Sequence, residues 1–304
     1  MAPFAYVTNN GSRSVSVIDT ATNAVVATPS LEGAPLAVAI APDGARAYIT
    51  IRGQNLGFVA ILDTGTNTVT ATVQVTDFFI GGLAITPDGK RAYVTSSGND
   101  HTVRVFDTAT NRVTGTIPMD LSIDIAITPD GKFVYVTSFE GVAVINTATN
   151  QVETTIQVGK GSSVTTGRGV AITPNGKNAY LTNGGLNTVA VIDTATNTVS
   201  ATINVGVDPV AVAVTPDGKY AYVTNHGSGN VSVIDTAANT VPATINVGIN
   251  PEGIAMTPDG SRVYVTNSGS GANNVSVIDT ATNKVMASVA VGTTPFGLAI
   301  SPGP

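Results

Sequence analysis

The side chains that could do chemistry here are few, and they do not form a linear motif. His101 follows Asp100 and His226 follows Asn225; imidazoles titrate near neutrality and so suit proton transfer. A metal site needs more ligands gathered together than either histidine shows locally. Arg168 and Glu252 are a cation and an anion suited to clamping a polar or anionic ligand. The plainer reading, two solvated rim residues or a salt bridge, is preferred for them. Asp120, Asp124 and Glu140 lie in one stretch of chain and are candidate ligands for a divalent cation such as Ca²⁺. That ion takes about six to eight oxygens, so carbonyls and water would have to complete the shell. A surface acid in a tailored loop is the preferred alternative there too. No Gly-x-Ser-x-Gly elbow, His-Glu-x-x-His pair or phosphate-binding loop occurs, so no catalytic residue is assigned.

The elements that must position these groups are unusually explicit. Tyr-(Val/Ile/Leu)-Thr begins at Tyr6, Tyr48, Tyr93, Tyr135, Tyr180, Tyr222 and Tyr264. A string close to Ile-Asp-Thr-Ala-Thr-Asn begins at Ile18, Leu62, Phe106, Ile145, Ile192, Ile234 and Ile278. Thr-Pro-Asp-Gly or a variant begins at Ala41, Thr86, Thr128, Thr173, Thr215, Thr257 and Ser301. The order never changes, and a fixed period of this kind announces a repeat architecture. In the unit 209–248, apolar or alternating runs at 210–214, 220–224, 230–234 and 241–247 read as four short strands. They are separated by Pro-Asp-Gly and Asp-Thr-Ala-Ala-Asn turns, where Pro fixes φ and Gly accepts a positive φ.

Four antiparallel strands repeated radially make a propeller blade, in which each sheet buries its faces against two neighbours. The chain opens on a second strand at Phe4 and ends on a first strand at Phe296. The sequence therefore predicts an all-β, seven-bladed β-propeller with four antiparallel strands per blade, spanning 1–304 as one domain. The N-terminal strands should close the ring by pairing with the C-terminal strand, which lies innermost.

Composition agrees. Of 304 residues 42% are apolar and 11% charged, with 32 Gly and 16 Pro, which excludes disorder. The net charge of −6 and the lack of a basic stripe disfavour nucleic acid. No run approaches the roughly 18 apolar residues of a membrane helix. Without cysteine there is no disulfide, thiol nucleophile or thiolate-bound metal. Without tryptophan, the tryptophan-rich repeats expected of quinone-dependent propeller dehydrogenases are absent.

Eleven of the twenty acids occupy the two repeated turns and are architecture. Glu32, Asp77, Asp100, Asp120, Asp124, Glu140, Asp208 and Glu252, with both histidines, gather on the rim formed by the crossovers and the loops between second and third strands, or at its edge. Loops that differ on a regular scaffold are where function concentrates. The position entering each innermost strand should ring the channel mouth: Leu36, Gly81, Ile123, Arg168, Val210, Glu252 and Phe296. Phe78, Phe79 and Phe296 are read as an apolar lip or as packing beneath a loop.

Tyr6-Val7-Thr8-Asn9, Tyr222-Val223-Thr224-Asn225 and Tyr264-Val265-Thr266-Asn267 resemble the YVTN family of propeller repeats. The resemblance runs from Phe4 to Pro302 and is weaker at Tyr48, followed by Ile-Thr-Ile, and at Tyr93 and Tyr135, followed by Val-Thr-Ser. It is similar to archaeal surface-layer and bacterial periplasmic propellers. It implies a seven-bladed ring, usually exported, with no family-wide catalytic residue to transfer. An extracellular, periplasmic or cell-surface location is expected, with the cytoplasm as the alternative. The expected function is a non-enzymatic binding or structural module, offering its rim and channel mouth to a protein or small-molecule ligand. A wholly generic scaffold without a ligand is the bland version of this reading. The alternative is a rim-centred, lactonase-like hydrolase or lyase built on Glu252, Arg168, Glu140 and a histidine, with or without a metal. No cofactor beyond that divalent cation is indicated, and a monomer is expected.

Overall fold

A computed structural model describes residues 3–77, 79–96, 101–119, 122–138, 141–158 and 169–303. Among them, 28 strands form seven four-stranded antiparallel sheets, and the only helical element is a 3₁₀ turn at Gly184–Leu186. Blade 1 is the closing blade: Pro295–Ile300 lies innermost, followed outward by Phe4–Asn9, Ser14–Asp19 and Ala24–Ala27. Blades 2 to 7 begin with innermost strands Ala34–Ile40, Ile80–Ile85, Ser122–Ile127, Val170–Ile172, Pro209–Val214 and Pro251–Met256. Each innermost strand contacts its two neighbours around the ring, and blade 7 meets the closing strand, which meets blade 2. The seven-bladed ring expected from the repeats is therefore present, and it closes as expected. Ala5 pairs with Ile300, Tyr6 with Ala299 and Val7 with Leu298. No helix among the described residues is long and apolar enough to cross a membrane.

The core sits between blades. There are seven apolar clusters, one at each junction, and each draws buried residues from two adjacent sheets. At the closing junction Ala5, Val7 and Ile18 from the start of the chain pack with Tyr264, Val275 and Val277 from blade 7. The repeat tyrosines are the largest buried side chains, each at most 1% exposed. Burying a side chain of that size contributes about 2–3 kcal/mol.

The repeat motifs are staples between blades. Tyr93, Tyr135, Tyr222 and Tyr264 donate their hydroxyls to Asn150, Asn197, Asn283 and Asn23 of the following blade, at 2.6–2.9 Å. Those asparagines end the Asp-Thr-Ala-Thr-Asn turns, headed by Asn146 in blade 4, with φ of 53–56°, a left-handed conformation that Asn tolerates. Asp235 at the head of one such turn accepts the amides of Ala237 and Ala238, both at 2.9 Å. One face of the ring is thus fixed by short-range turn chemistry and by tyrosine.

Candidate functional site

The opposite face is fixed by the motif threonine. Thr224 is fully buried. Its hydroxyl accepts the Ala211 amide of its own innermost strand at 2.9 Å and donates to the Glu252 carbonyl of the next blade at 2.8 Å. The same bridge reaches from Thr8 to Leu36, Thr50 to Gly81, Thr95 to Ile123, Thr182 to Val210 and Thr266 to Phe296, at 2.6–3.0 Å. These acceptors are the residues expected to ring the mouth. A buried hydroxyl satisfying two backbone groups is a stiff, specific link, so the repeat motif itself sets the geometry of the channel entrance.

Behind this ring lies a cavity of about 600 Å³. Leu36, Gly81, Ile123, Val210, Glu252 and Phe296 form its outer layer. Ala37, Gly82, Asp124, Gly169, Ala211, Gly253 and Gly297 form the layer beneath. Glycine is required at Gly253 and Gly297, because a Cβ there would run into the Phe296 and Leu36 carbonyls of the adjacent blades. Arg52 and Phe79 complete the lip, with the guanidinium carbon 5.9 Å from the ring centroid, within the range of a cation–π contact. Phe79 is 44% exposed and Phe296 37%, so the mouth offers apolar surface to the outside.

Asp124 is the exception in a layer of Gly and Ala. Its amide donates to Thr137 Oγ1 at 2.9 Å, as the corresponding amides do in other blades. Its Oδ2 accepts the Val170 amide of blade 5 at 3.1 Å, and the Ile125 amide also bonds the carboxyl. In blade 5 the Thr173 amide bonds the Asn178 carbonyl, so by the alternation of an antiparallel ladder the Val170 amide points to the channel. Burial pushes the Asp124 carboxyl up to about 6, against the pull of those two amides, and no charged neighbour among the described residues contributes. A carboxyl held this way titrates near neutrality.

A second group stands beside the mouth. His226 Nε2 lies 3.3 Å from Glu252 Oε1 and Nδ1 lies 3.5 Å from Asp208 Oδ2. The Glu252 side chain is 13% exposed and lines the cavity, whereas His226 and Asp208 stand behind it. Asp208 has φ 53°, and its carbonyl receives the His226 amide at 2.9 Å. The same backbone clamp joins Ser268 to Asn250 and Asn10 to Thr294. Blade 6 therefore carries an acid and a histidine where blades 7 and 1 carry neutral side chains. Sequence reasoning placed Asp208 on the rim but did not join it to His226. Aligning these three clamps position by position would have done so.

Of the other expected site residues, His101 is exposed in the loop between the second and third strands of blade 3. Its carbonyl receives the Met119 amide at 2.8 Å, and it does not line the cavity. Arg168, Asp120 and Glu140 lie outside the described residues, as do Asp100 and Phe78. Of the three candidate cation ligands only Asp124 is described, and no metal-binding group of three or more His, Asp or Glu occurs among the described residues.

Fold and mouth together define a closed seven-bladed propeller with a pocket at one end of its channel. A family model described as "Lactonase, 7-bladed beta-propeller" matches residues 178–295, a stretch that includes Asp208, His226 and Glu252. No curated protein matches the chain. Among solved structures, hydrazine synthase of Kuenenia stuttgartiensis is similar at 26% identity and a TM-score of 0.81, covering 91% of this chain and 92% of that one. A functionally unknown protein from Desulfotomaculum acetoxidans superposes at 18% identity and a TM-score of 0.81, over 99% of both chains. Dihydro-heme d1 dehydrogenase NirN, solved in complex with DHE, matches at 14% identity and a TM-score of 0.72, over 97% of this chain and 74% of that one. The last two likenesses concern the fold alone.

Proposed function

We propose that this protein is a small-molecule-binding propeller whose site is the channel mouth. The observation that carries the reading is the cavity itself. It is about 600 Å³, walled by Leu36, Ile123, Val210 and Phe296, with the carboxyls of Asp124 and Glu252 set into that wall. An apolar pocket of a few hundred cubic ångströms with a few convergent polar groups is the usual form of a ligand site. The test is a ligand screen by native mass spectrometry on the wild type and on Val210→Trp, whose indole would fill the entrance. One saturable site lost in Val210→Trp, with far-UV circular dichroism unchanged, supports the reading. Binding indifferent to the plug, or no binding by any compound, overturns it.

A second reading is favoured by the Asp208–His226–Glu252 group and by the lactonase-type model that covers it. Glu252 is the member facing the cavity and would act as general base. It would take a proton from a water attacking a lactone carbonyl, while His226 and Asp208 hold its carboxylate in place. The ring C–O bond breaks, and the departing oxygen receives the proton back from Glu252. Hydrolysis of γ- and δ-lactones followed by pH-stat decides it: Glu252→Gln should lose at least about a hundredfold in rate. Turnover equal in wild type and variant, or no turnover at all, rejects the enzyme.

A further inference from the structure

The carboxyl of Asp124 has no role in the repeat. Its position holds Ala37 and Ala211 in blades 2 and 6 and glycine elsewhere, including Gly82, Gly253 and Gly297. The amides it satisfies, those of Ile125 and Val170, hold the same register position in the innermost strands of blades 4 and 5. Room has been made for it as well: a Cβ on Gly82 of the neighbouring blade would sit 2.8 Å from Asp124 Oδ1. A partly buried acid is commonly matched by a cation. Among the described residues two amides are its partners and no ion pair is formed. Around it the described lining carries a second acid, Glu252, and one guanidinium, Arg52, which is engaged over Phe79 at the outer lip.

We infer that Asp124 is the anchor for the cationic head of the ligand, and that the ligand class is an organic ammonium ion with an apolar body. The ammonium enters past Phe296 and Val210 and donates to the Asp124 carboxylate. The hydrocarbon part fills the layer between Leu36, Ile123, Val210 and Phe296. The ligand supplies the charge that the described residues around Asp124 do not, and burial makes each such hydrogen bond stronger than it would be in water. Exposed phenylalanine at the lip favours the same charge, since aromatic faces attract ammonium groups.

The inference rests on the channel mouth being the ligand site, and the experiment separates the two. Isothermal titration at pH 7.5 compares three probes of one shape, phenethylammonium, 2-phenylethanol and phenylacetate. The wild type should bind the ammonium at least about tenfold more tightly than the alcohol or the acid. Asp124→Asn, which keeps an acceptor for the Val170 amide, should erase that preference, and Val210→Trp should abolish binding of all three. Equal binding of the three probes, or a preference unchanged in Asp124→Asn, overturns the cationic anchor while the mouth site stands if Val210→Trp still blocks it. Failure of every probe to bind counts against both.

Discussion

Asp124→Asn should make the protein more stable, and the amount follows from where the carboxyl sits. Its ordinary pKa is 3.8 and burial raises it to about 6 in the fold. A group whose folded pKa is raised leaves full stability below the unfolded value and withdraws it as pH climbs through the folded one. For Asp124 the window is therefore pH 4 to 7. Two pKa units correspond to about 3 kcal/mol, at about 1.4 kcal/mol per unit. The asparagine carries no charge to desolvate and still accepts the Val170 amide. Urea denaturation followed by circular dichroism should give variant and wild type equal midpoints near pH 4. Above pH 7 the variant should gain about 2–3 kcal/mol. Asp124→Ala, which installs the residue of blades 2 and 6, should gain in the same direction. A loss of stability at pH 7.5 in both variants would refute the reasoning, because it would make the carboxyl a structural bridge between blades 4 and 5.

Three other outcomes follow from the staples and the closure. Thr224→Val keeps the shape of a fully buried residue but strips the Ala211 amide and the Glu252 carbonyl of their partner. It should cost about 2–4 kcal/mol in urea, whereas the exposed Thr240→Val control stays within about 0.5 kcal/mol; equal effects would contradict the staple. Burial pushes Tyr6, Tyr135 and Tyr222 up to about 12, from an ordinary 10.0. Stability should hold below pH 10 and fall between 10 and 12 by about 2–3 kcal/mol per ring. Phenolate absorbance should then appear together with loss of circular dichroism, and ionisation of these rings near pH 10 in an intact fold would oppose this. Deleting residues 295–304 removes the innermost strand of blade 1 and leaves Phe4–Asn9 without that partner. Calorimetry should show no cooperative transition; a truncated chain melting within a few degrees of the full one would contradict closure.

The fold was legible because its motifs recur and each has one physical task. Tyr-Val-Thr sends a ring towards the next blade at one end and a hydroxyl to the next blade's carbonyl at the other, so a repeat in the sequence is a repeat of junctions. The termini were equally plain, since neither end makes a whole blade alone. The mouth was legible as a layer: six of its seven expected positions line the cavity, and Arg168 lies outside the described residues. Asp124 stood out as the break in a Gly and Ala layer, yet the lack of a cation beside it among the described residues depends on what three blades place around it, which no local pattern records. The Asp208–His226–Glu252 group was illegible for the same reason. It joins a crossover, a loop and an innermost strand of two blades, and only a blade-by-blade alignment of the backbone clamps marks its first two members.

The channel mouth as the binding site is tested most directly by a crystal structure with phenethylammonium bound. Density should lie between Leu36, Ile123, Val210 and Phe296, with the nitrogen within hydrogen-bonding distance of Asp124. Density at the opposite rim, in the cleft between Thr20, Thr257 and Arg262, with the channel mouth empty, would contradict it.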